Sequence, residues 1–318
     1  MIRYIIKRLL FLIPIILCVS FIIFALMDLT PGTVADSMIP SDATPEMIQA
    51  IYAQFDLDKP MIYRYGKYML NFIKGDLGKS DISGESIMQM YLIRLPNTLL
   101  LAVSSILIAA ILAIPMGIRA ARHAGTLTDN MTTLVTLIGM SMPAFWLGLI
   151  LLFIFSYKLR ILPASGNSGF LSYILPAICN GLSMMASTTR QTRSAMLEVL
   201  NADFLRTARA KGVPEKRVIW KHALGNALIP TLTTLGGNLS TALAGSVVIE
   251  SVFAWPGVGR LTAEAIMSRD VKLACGSVIM TTILYVIMML IVDLAYAFVD
   301  PRIKAVYMGA KKPRRNAA

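Results

Sequence analysis

The sequence predicts an all-α integral membrane protein with six transmembrane helices and both termini in the cytoplasm. Three observations predict it. First, 56% of the 318 residues are hydrophobic and only 15% are charged, whereas a soluble domain usually carries about 25% charged residues. The mean hydropathy is +0.66. Second, six stretches approach the roughly 20 mostly apolar residues that a bilayer crossing needs. Third, the net charge of +12 is sorted by alternate loops, the pattern expected when Lys and Arg stay on the cytoplasmic side. That sorting accounts for the basic balance without nucleic acid as a partner; the lipid bilayer is the surrounding implied.

The first span is Leu9 to Met27, charge-free between Arg8 and Asp28. Basic residues precede it, as in a signal peptide. Its 19-residue apolar run is longer than a usual signal core, and no A-x-A site follows, so it reads as a retained helix. The second span is Leu95 to Ile118 and the third lies within Asn130 to Tyr157. The fourth, Ser172 to Thr189, is weaker because it contains Pro176 and Gly181. The fifth lies within Asn226 to Ile249, and the sixth runs from Leu273 to Val292, continuing past Asp293 to Val299. With the N-terminus inside, the cytoplasmic segments hold 19 basic residues and five acids, and the outer segments 11 and 12. The organisation that follows is a tail and first span (1–27), an extracytoplasmic subdomain (28–94), a membrane core (95–299) with a cytoplasmic loop at 190–225, and a basic cytoplasmic tail (300–318).

Asp28 to Arg94 is too long for a plain turn and carries helical signals. Thr44 suits the cap of a helix beginning at Pro45, and Ile48, Ile51, Tyr52 and Phe55 fall on one face of it. Ile62, Tyr65, Met69, Phe72 and Ile73 give a second apolar set. Asp56 to Pro60 breaks the helix between the two, and Gly75 to Gly78 reads as a turn. This subdomain is either a packed outer cap or a docking and gating surface.

The cytoplasmic stretch Arg190 to Lys221 is the most informative. Asp203 reads as a helix cap before a short Ala- and Arg-rich helix, Phe204 to Lys211. Gly212 stands where the helix should stop, because it adopts positive φ without steric cost. Pro214 then opens another helix, with Val218, Ile219 and Trp220 on its apolar side. The geometry is helix, sharp bend, helix. On physical grounds the projecting helix either rests on anionic head groups or enters a groove on a soluble partner.

Here a family resemblance adds to the pattern. Arg206-Thr-Ala-Arg-Ala-Lys-Gly212, followed by Ala223-Leu-Gly-Asn-Ala-Leu-Ile-Pro230, resembles the coupling-loop signature of ABC importer permeases, and within them the dipeptide, oligopeptide and nickel branch. Other segments resemble that branch in order: the basic start Met1 to Leu10, Asp56 to Pro60, Gly75 to Gly78 with Ser80, Arg94 to Leu99, Met142 to Gly148, Leu162 to Gly166, Glu250 to Gly259, and Asp300-Pro-Arg302. The broader importer pattern opens its loop with Glu-Ala-Ala, where this chain has Arg206, Thr207 and Ala208, and it has Leu-Pro where this chain has Leu224-Gly225. The resemblance implies an ATPase-coupling loop at Asp203, Arg206, Thr207, Ala208, Arg209, Ala210, Lys211, Gly212 and Pro214. It implies a pore subunit of an importer in a bacterial or archaeal cytoplasmic membrane. The partners implied are a second permease, similar but different, two ATPase subunits that bind ATP and Mg, and an extracytoplasmic substrate-binding protein. No cofactor is expected on this chain. Dipeptides, oligopeptides, glutathione-like compounds and chelated nickel all fit as solutes.

Glu250, with Phe253, Pro256, Gly257 and Gly259, marks an outer turn or gate, and Glu250 reads as the group that ties the turn down. Asp293 is an ionisable residue at membrane depth, where such groups are costly and often functional. Pairing within the bundle is the favoured reading over a proton relay, although no partner is evident in the sequence. An ion-coupled secondary transporter is the rival class; it calls for paired intramembrane charges and an internal repeat of broken helices, and no clear repeat is present. No Gly-rich phosphate loop occurs. Ser165 lies outside while His123 and His222 lie inside, which disfavours a nucleophile and base pair, so no catalytic residue is assigned. The histidines lack the neighbours of a metal site. Cys18, Cys179 and Cys275 read as small buried apolar residues, not disulfide partners.

Overall fold

The computed structural model describes residues 2–167, 169–245 and 247–299. Among the described residues the regular elements are all helices, and an isolated bridge between Lys79 and Ser86 is the only β pairing. The expected tail at 300–318, with the Asp300-Pro-Arg302 motif, lies outside the described residues.

Helix α1 (Ile2–Leu29) turns most of its large apolar side chains outward, including Leu10, Phe11, Ile13 and Ile22. Cys18 is exposed on it, unlike Cys179 and Cys275, which are buried. The sequence expectation of three buried cysteines fails there because α1 packs along the bundle on one side only, and a single-sequence pattern does not tell lipid-facing from core-facing positions. Two shorter helices follow. In α2 (Pro45–Gln54) the hydroxyl of Thr44 accepts from the Met47 amide, as a cap should, but no residue of the helix is buried. In α3 (Met61–Ile73) the buried residues are Tyr68 and Met69, with Met61, Tyr65 and Phe72 partly covered. Ile62 and Ile73 are 73% and 75% exposed. The inward stripe therefore keeps Tyr65, Met69 and Phe72 of the expected set, with Met61 and Tyr68 in place of Ile62 and Ile73. Asp56, at φ +56, breaks the chain between α2 and α3.

Helix α4 (Ile87–Arg122) is about 54 Å long at 1.5 Å per residue. It packs closely against α7 (Phe170–Leu200), which occupies the centre of the bundle. The close approach depends on glycine. A Cβ on Gly117 would sit 2.6 Å from the Thr192 side chain, and one on Gly181 would sit 2.8 Å from Ile108. Between them, α5 (Leu127–Ser141) and α6 (Ala144–Leu151, continued as a π-helical segment Leu152–Lys158) meet at 101°. Pro143 causes the break. It has no amide hydrogen to donate and forces Met142 into an extended conformation.

Helix α8 (Asp203–Ala210) and the short α9 (Glu215–Arg217), extended by a π-helical turn Val218–Ala223, form an elbow at one end of the bundle. Helices α10 (Leu224–Gly245), α11 (Val247–Val252), α12 (Val258–Met267) and α13 (Val271–Val299) complete the described chain. Among the described residues, four helices are long and apolar enough to cross a membrane, α1, α4, α7 and α13, or five counting the bent α5–α6 pair. The expected fifth span, α10, does not reach that apolarity, because Asn226, Thr231, Thr233, Thr234, Asn238, Ser240 and Thr241 dilute its leucines. The hydroxyls mostly satisfy themselves: Thr231, Thr234, Ser240 and Thr241 donate to carbonyls one turn back. Asn238 reaches Ser187 and Thr188 on α7.

Candidate functional site

The elbow is built from a buried anchor and an exposed face. α7 continues straight through the expected loop start and ends at Leu200. The residue at the cap of α8 is Ala202, in an extended conformation, and Asp203 is the first helical residue. Asp203 thus lies in the first turn, where its charge favours the helix dipole, rather than at the cap; the boundary moved by one position. Leu205 is fully buried, in a cluster with Ile118 and Ala121 from α4, Met196 from α7, and Val218 and Ile219. Asp203, Phe204, Arg206, Thr207, Arg209, Ala210 and Lys211 are exposed, and Ala208 is half-buried against the cluster. One leucine thus holds the helix to the bundle while its basic side faces away.

The bend that follows is set by Gly212, at φ +74, where a Cβ would meet nothing within 4 Å. Pro214 then stands at the cap of α9. Across the bend, Arg209 donates through Nε and Nη2 to both carboxylate oxygens of Glu215, at 3.1 and 3.0 Å. These bonds lower the Glu215 pKa and raise that of Arg209, the hydrogen bond being the largest cause in each. Val218 and Ile219 face inward as expected, but Trp220 is 49% exposed. The π-helical turn that carries it departs from the ordinary helical period on which the expectation rested.

Close to the elbow, Arg193 of α7 forks onto Asp129 of α5 at 2.5 and 2.7 Å, and the Gly125 amide donates to the same carboxylate at 2.9 Å. Asp129 is 3% exposed. In the sequence these two residues count only as loop charges; they lie 64 positions apart, and no local pattern joins them.

At the other end, the outer-turn residues come together in one knot. Glu250 is fully buried. Thr98 of α4 donates to its Oε1 at 2.7 Å, and the Arg260 amide donates to its Oε2 at 2.9 Å. The Thr98 oxygen in turn accepts from the Val258 amide at 2.9 Å. Asn97 donates to the Pro256 carbonyl and accepts from the Trp255 indole. Phe253 is buried beside Leu101, Leu175, Cys179 and Trp255, and its carbonyl accepts from Gly166 in the turn before α7. A Cβ on Gly257 would lie 2.3 Å from the Glu250 carboxylate, and one on Gly259 would lie 2.9 Å from it. Glycine at both positions is what lets the loop wrap the acid. Thr98 falls within the Arg94 to Leu99 segment noted in the sequence, but its pairing with Glu250, 152 positions away, carries no local signal. The knot fastens the turn before α12 to α4 through the buried Glu250 carboxylate.

Asp293 of α13 accepts from Arg8 Nη2 of α1 at 2.6 Å, so the partner that the sequence did not reveal is the basic residue just before the first apolar run. No group of three or more His, Cys, Asp or Glu suited to a metal ion occurs among the described residues.

Comparison with known proteins gives a consistent result. Residues 113–305 match the family described as binding-protein-dependent transport system inner membrane component, and residues 1–102 match that family's N-terminal segment. The chain is 37% identical, over 96% of its length and 100% of the relative's, to the oligopeptide transport system permease protein AppB of Bacillus subtilis. It is 36% identical, over 96% of its length and 99% of the relative's, to the glutathione transport system permease protein GsiC of Escherichia coli K12. Among solved structures, a chain of the MetNI methionine ABC transporter in an inward-facing conformation superposes with a TM-score of 0.57. The match covers 67% of this chain and 97% of that one at 16% identity, a likeness of fold.

Proposed function

From the premise that this chain belongs to the binding-protein-dependent transport system inner membrane components, the membrane subunits of ABC importers, we infer how it is arranged and what it moves. It crosses a bacterial or archaeal cytoplasmic membrane six times, with both termini inside. α1, α4, the bent α5–α6 pair, α7, α10 and α13 are the spans; α10, at 22 residues and about 33 Å, is long enough for a hydrocarbon core of about 30 Å. Its polar composition fits a helix that faces protein or water rather than lipid. Residues 28–94 form the outer subdomain, 95–299 the core, and 300–318 a cytoplasmic tail.

The observation that carries the mechanism is the Leu205 anchor. α8 is fixed to α4, α7 and the start of α10 by one buried side chain, while Arg206, Arg209 and Lys211 face away from the bundle. In this reading the elbow docks in a groove of an ATPase subunit. When two such subunits bind ATP and Mg and close, they move α8, and the Leu205 cluster passes the displacement to α4, α7 and α10 together. The chain itself is non-catalytic. A second, different permease supplies the other half of the pathway, and an extracytoplasmic binding protein delivers the solute. The relatives named for oligopeptide and for glutathione transport support a peptide-like solute, a dipeptide or oligopeptide, as the cargo. Glutathione-like compounds and chelated nickel are the alternatives within the same machinery. The Arg8–Asp293 pair joins α1 to α13 and supports the reading of Asp293 as a pairing residue within the bundle.

The test is to purify the chain with candidate ATPase and permease subunits encoded beside it. The expected outcome is a stable complex whose ATP hydrolysis rises with the loaded binding protein. Failure of any ATPase to bind, or an Arg206→Ala, Arg209→Ala double variant that binds and couples like the parent, sinks the coupling assignment.

A further inference from the structure

A cavity of about 590 Å³ opens on the outer side of the molecule, between the end of α1, α3, the turn after α3 and the connection from α12 to α13. It is well within the roughly 300–1,000 Å³ of small-molecule sites. Its walls combine apolar side chains, Phe24 and Leu77 among them, with charges of both signs. Most of the charges are matched: Arg64 with Asp28, Lys67 with Asp56, and Lys272 with Asp81. Two cations that line it are not. Among the described residues, the side chains of Arg269 and Lys79 make no hydrogen bond or ion pair. Asp36 senses the Arg269 charge, but its carboxylate is engaged by the Tyr52 hydroxyl and the Thr33 amide.

The backbone holds Arg269 in this position. Arg269 has φ +62, a left-handed conformation that a non-glycine residue rarely adopts and that concentrates at functional sites. Opposite it, Gly32 has φ +85, and a Cβ there would lie 1.7 Å from Arg269 Nη1. A glycine at 32 is therefore what lets the guanidinium lie flat on the chain. A second wall residue, Tyr68, is 7% exposed, and its hydroxyl has no partner among the described residues. Asp76, also on the wall, accepts through Oδ1 from the Gly78 amide.

We propose that this cavity binds a short peptide-like solute by its free carboxylate, held by Arg269 and Lys79, with an apolar side chain against Phe24 and Leu77 and the ammonium end toward Asp76. The inference rests on the peptide-importer reading and adds to it a solute site where the outer subdomain meets the end of α1 and the connection from α12 to α13. A carboxylate suits a planar guanidinium, which presents paired donors.

The test uses the complete membrane complex in nanodiscs, without its binding protein, and radiolabelled alanyl-alanyl-phenylalanine as probe. Saturable binding is expected, weakened at least tenfold when the same tripeptide carries a C-terminal amide. Arg269→Asn, which removes the charge and keeps a residue tolerant of positive φ, should bring the free acid to the level of the amide. Lys79→Gln, on an exposed side chain, should weaken the acid severalfold and leave the amide unchanged. Equal binding of acid and amide, no saturable binding, or wild-type affinity in both variants overturns the site. Should Arg269→Asn lower the melting temperature, Lys79→Gln alone decides. Uptake of the tripeptide by the full system, binding protein included, is measured in parallel. Uptake without cavity binding removes this site and leaves the importer reading standing; binding without uptake of any peptide removes the importer reading.

Discussion

The carboxylate of Glu250 occupies the space where a side chain on Gly257 would begin, 2.3 Å from the position of its Cβ. The two residues therefore constrain each other: the acid is buried because the loop can close over it, and the loop closes because residue 257 has no side chain. Gly257→Ala should destabilise the protein by about 2 kcal/mol or more, as overpacking of a tight interior does. Glu250→Ala should also destabilise, by stranding the Thr98 hydroxyl and the Arg260 amide. The double variant should lose clearly less than the sum, since the clash disappears with the acid. Thermal unfolding in detergent reads all three; strict additivity would refute the relationship.

Leu205→Ala should detach α8. The leucine is fully buried in an apolar cluster drawn from α4, α7 and the start of α10, and such truncations cost about 2–5 kcal/mol when the site cannot collapse. Much of that loss should be local, because the helix hangs on this residue. Protease cleavage at Arg206 or Arg209 should speed up before global unfolding is detectable. An unchanged cleavage pattern would show that the helix is held by something else.

Gly212 is open to a direct test of conformation against volume. Nothing lies within 4 Å of a side chain placed there, so any penalty comes from φ +74. Gly212→Val should cost about 1–2 kcal/mol and lower ATPase stimulation, whereas Gly212→Asn should lie near the parent, since Asn tolerates this region. If both behave alike, the backbone argument is wrong.

Removing one partner of the Arg8–Asp293 pair should matter more than removing both. Asp293→Asn and Arg8→Gln each break the 2.6 Å ion pair from one side. Each should lower Tm in detergent, and the double variant should recover part of the loss. Transport measured with and without an imposed proton gradient checks the rival class: a gradient-dependent loss in Asp293→Asn alone would revive a proton relay.

The Arg209–Glu215 link gives a pH expectation. Glu215 is held below its ordinary 4.5 by the Arg209 hydrogen bond. A depressed carboxylate contributes stability that is fully present above its unfolded value and is lost as pH falls through the folded one. The bend should therefore be insensitive to pH around neutrality and loosen only below about pH 4.5. Hydrogen exchange of the 211–213 amides, compared with Glu215→Gln, measures this; loosening of the parent between about pH 6 and 8 would contradict it.

How much of this was legible in the sequence depended on distance along the chain. α1, α4 and α13 were readable because each is a long run of apolar residues with few interruptions. α10 was found as an apolar stretch, yet its Thr and Asn residues keep it below the apolarity of the candidate spans. The Thr44 cap and the Gly212 bend were readable because each is a local event. Trp220 was misread because a π-helical turn changes which side faces in, and in α3 Ile62 and Ile73, the two ends of the expected stripe, face outward while Tyr65, Met69 and Phe72 face in. Thr98 with Glu250, Asp129 with Arg193, and Arg8 with Asp293 were invisible, because each pairing is made by the packing of separate helices.

The last of these pairs has a consequence for synthesis. Arg8 leaves the ribosome 285 residues before Asp293. At about 5–20 residues per second, roughly 15–60 seconds separate the two. For that interval the first helix stands in the bilayer with its guanidinium unmatched by the acid that later fixes it, and its best refuge is the head-group layer, which a long side chain near a helix end can reach. The bundle is therefore closed by its last helix rather than its first. A chain that stalls before α13 would keep its other helices but lack the Arg8–Asp293 clasp.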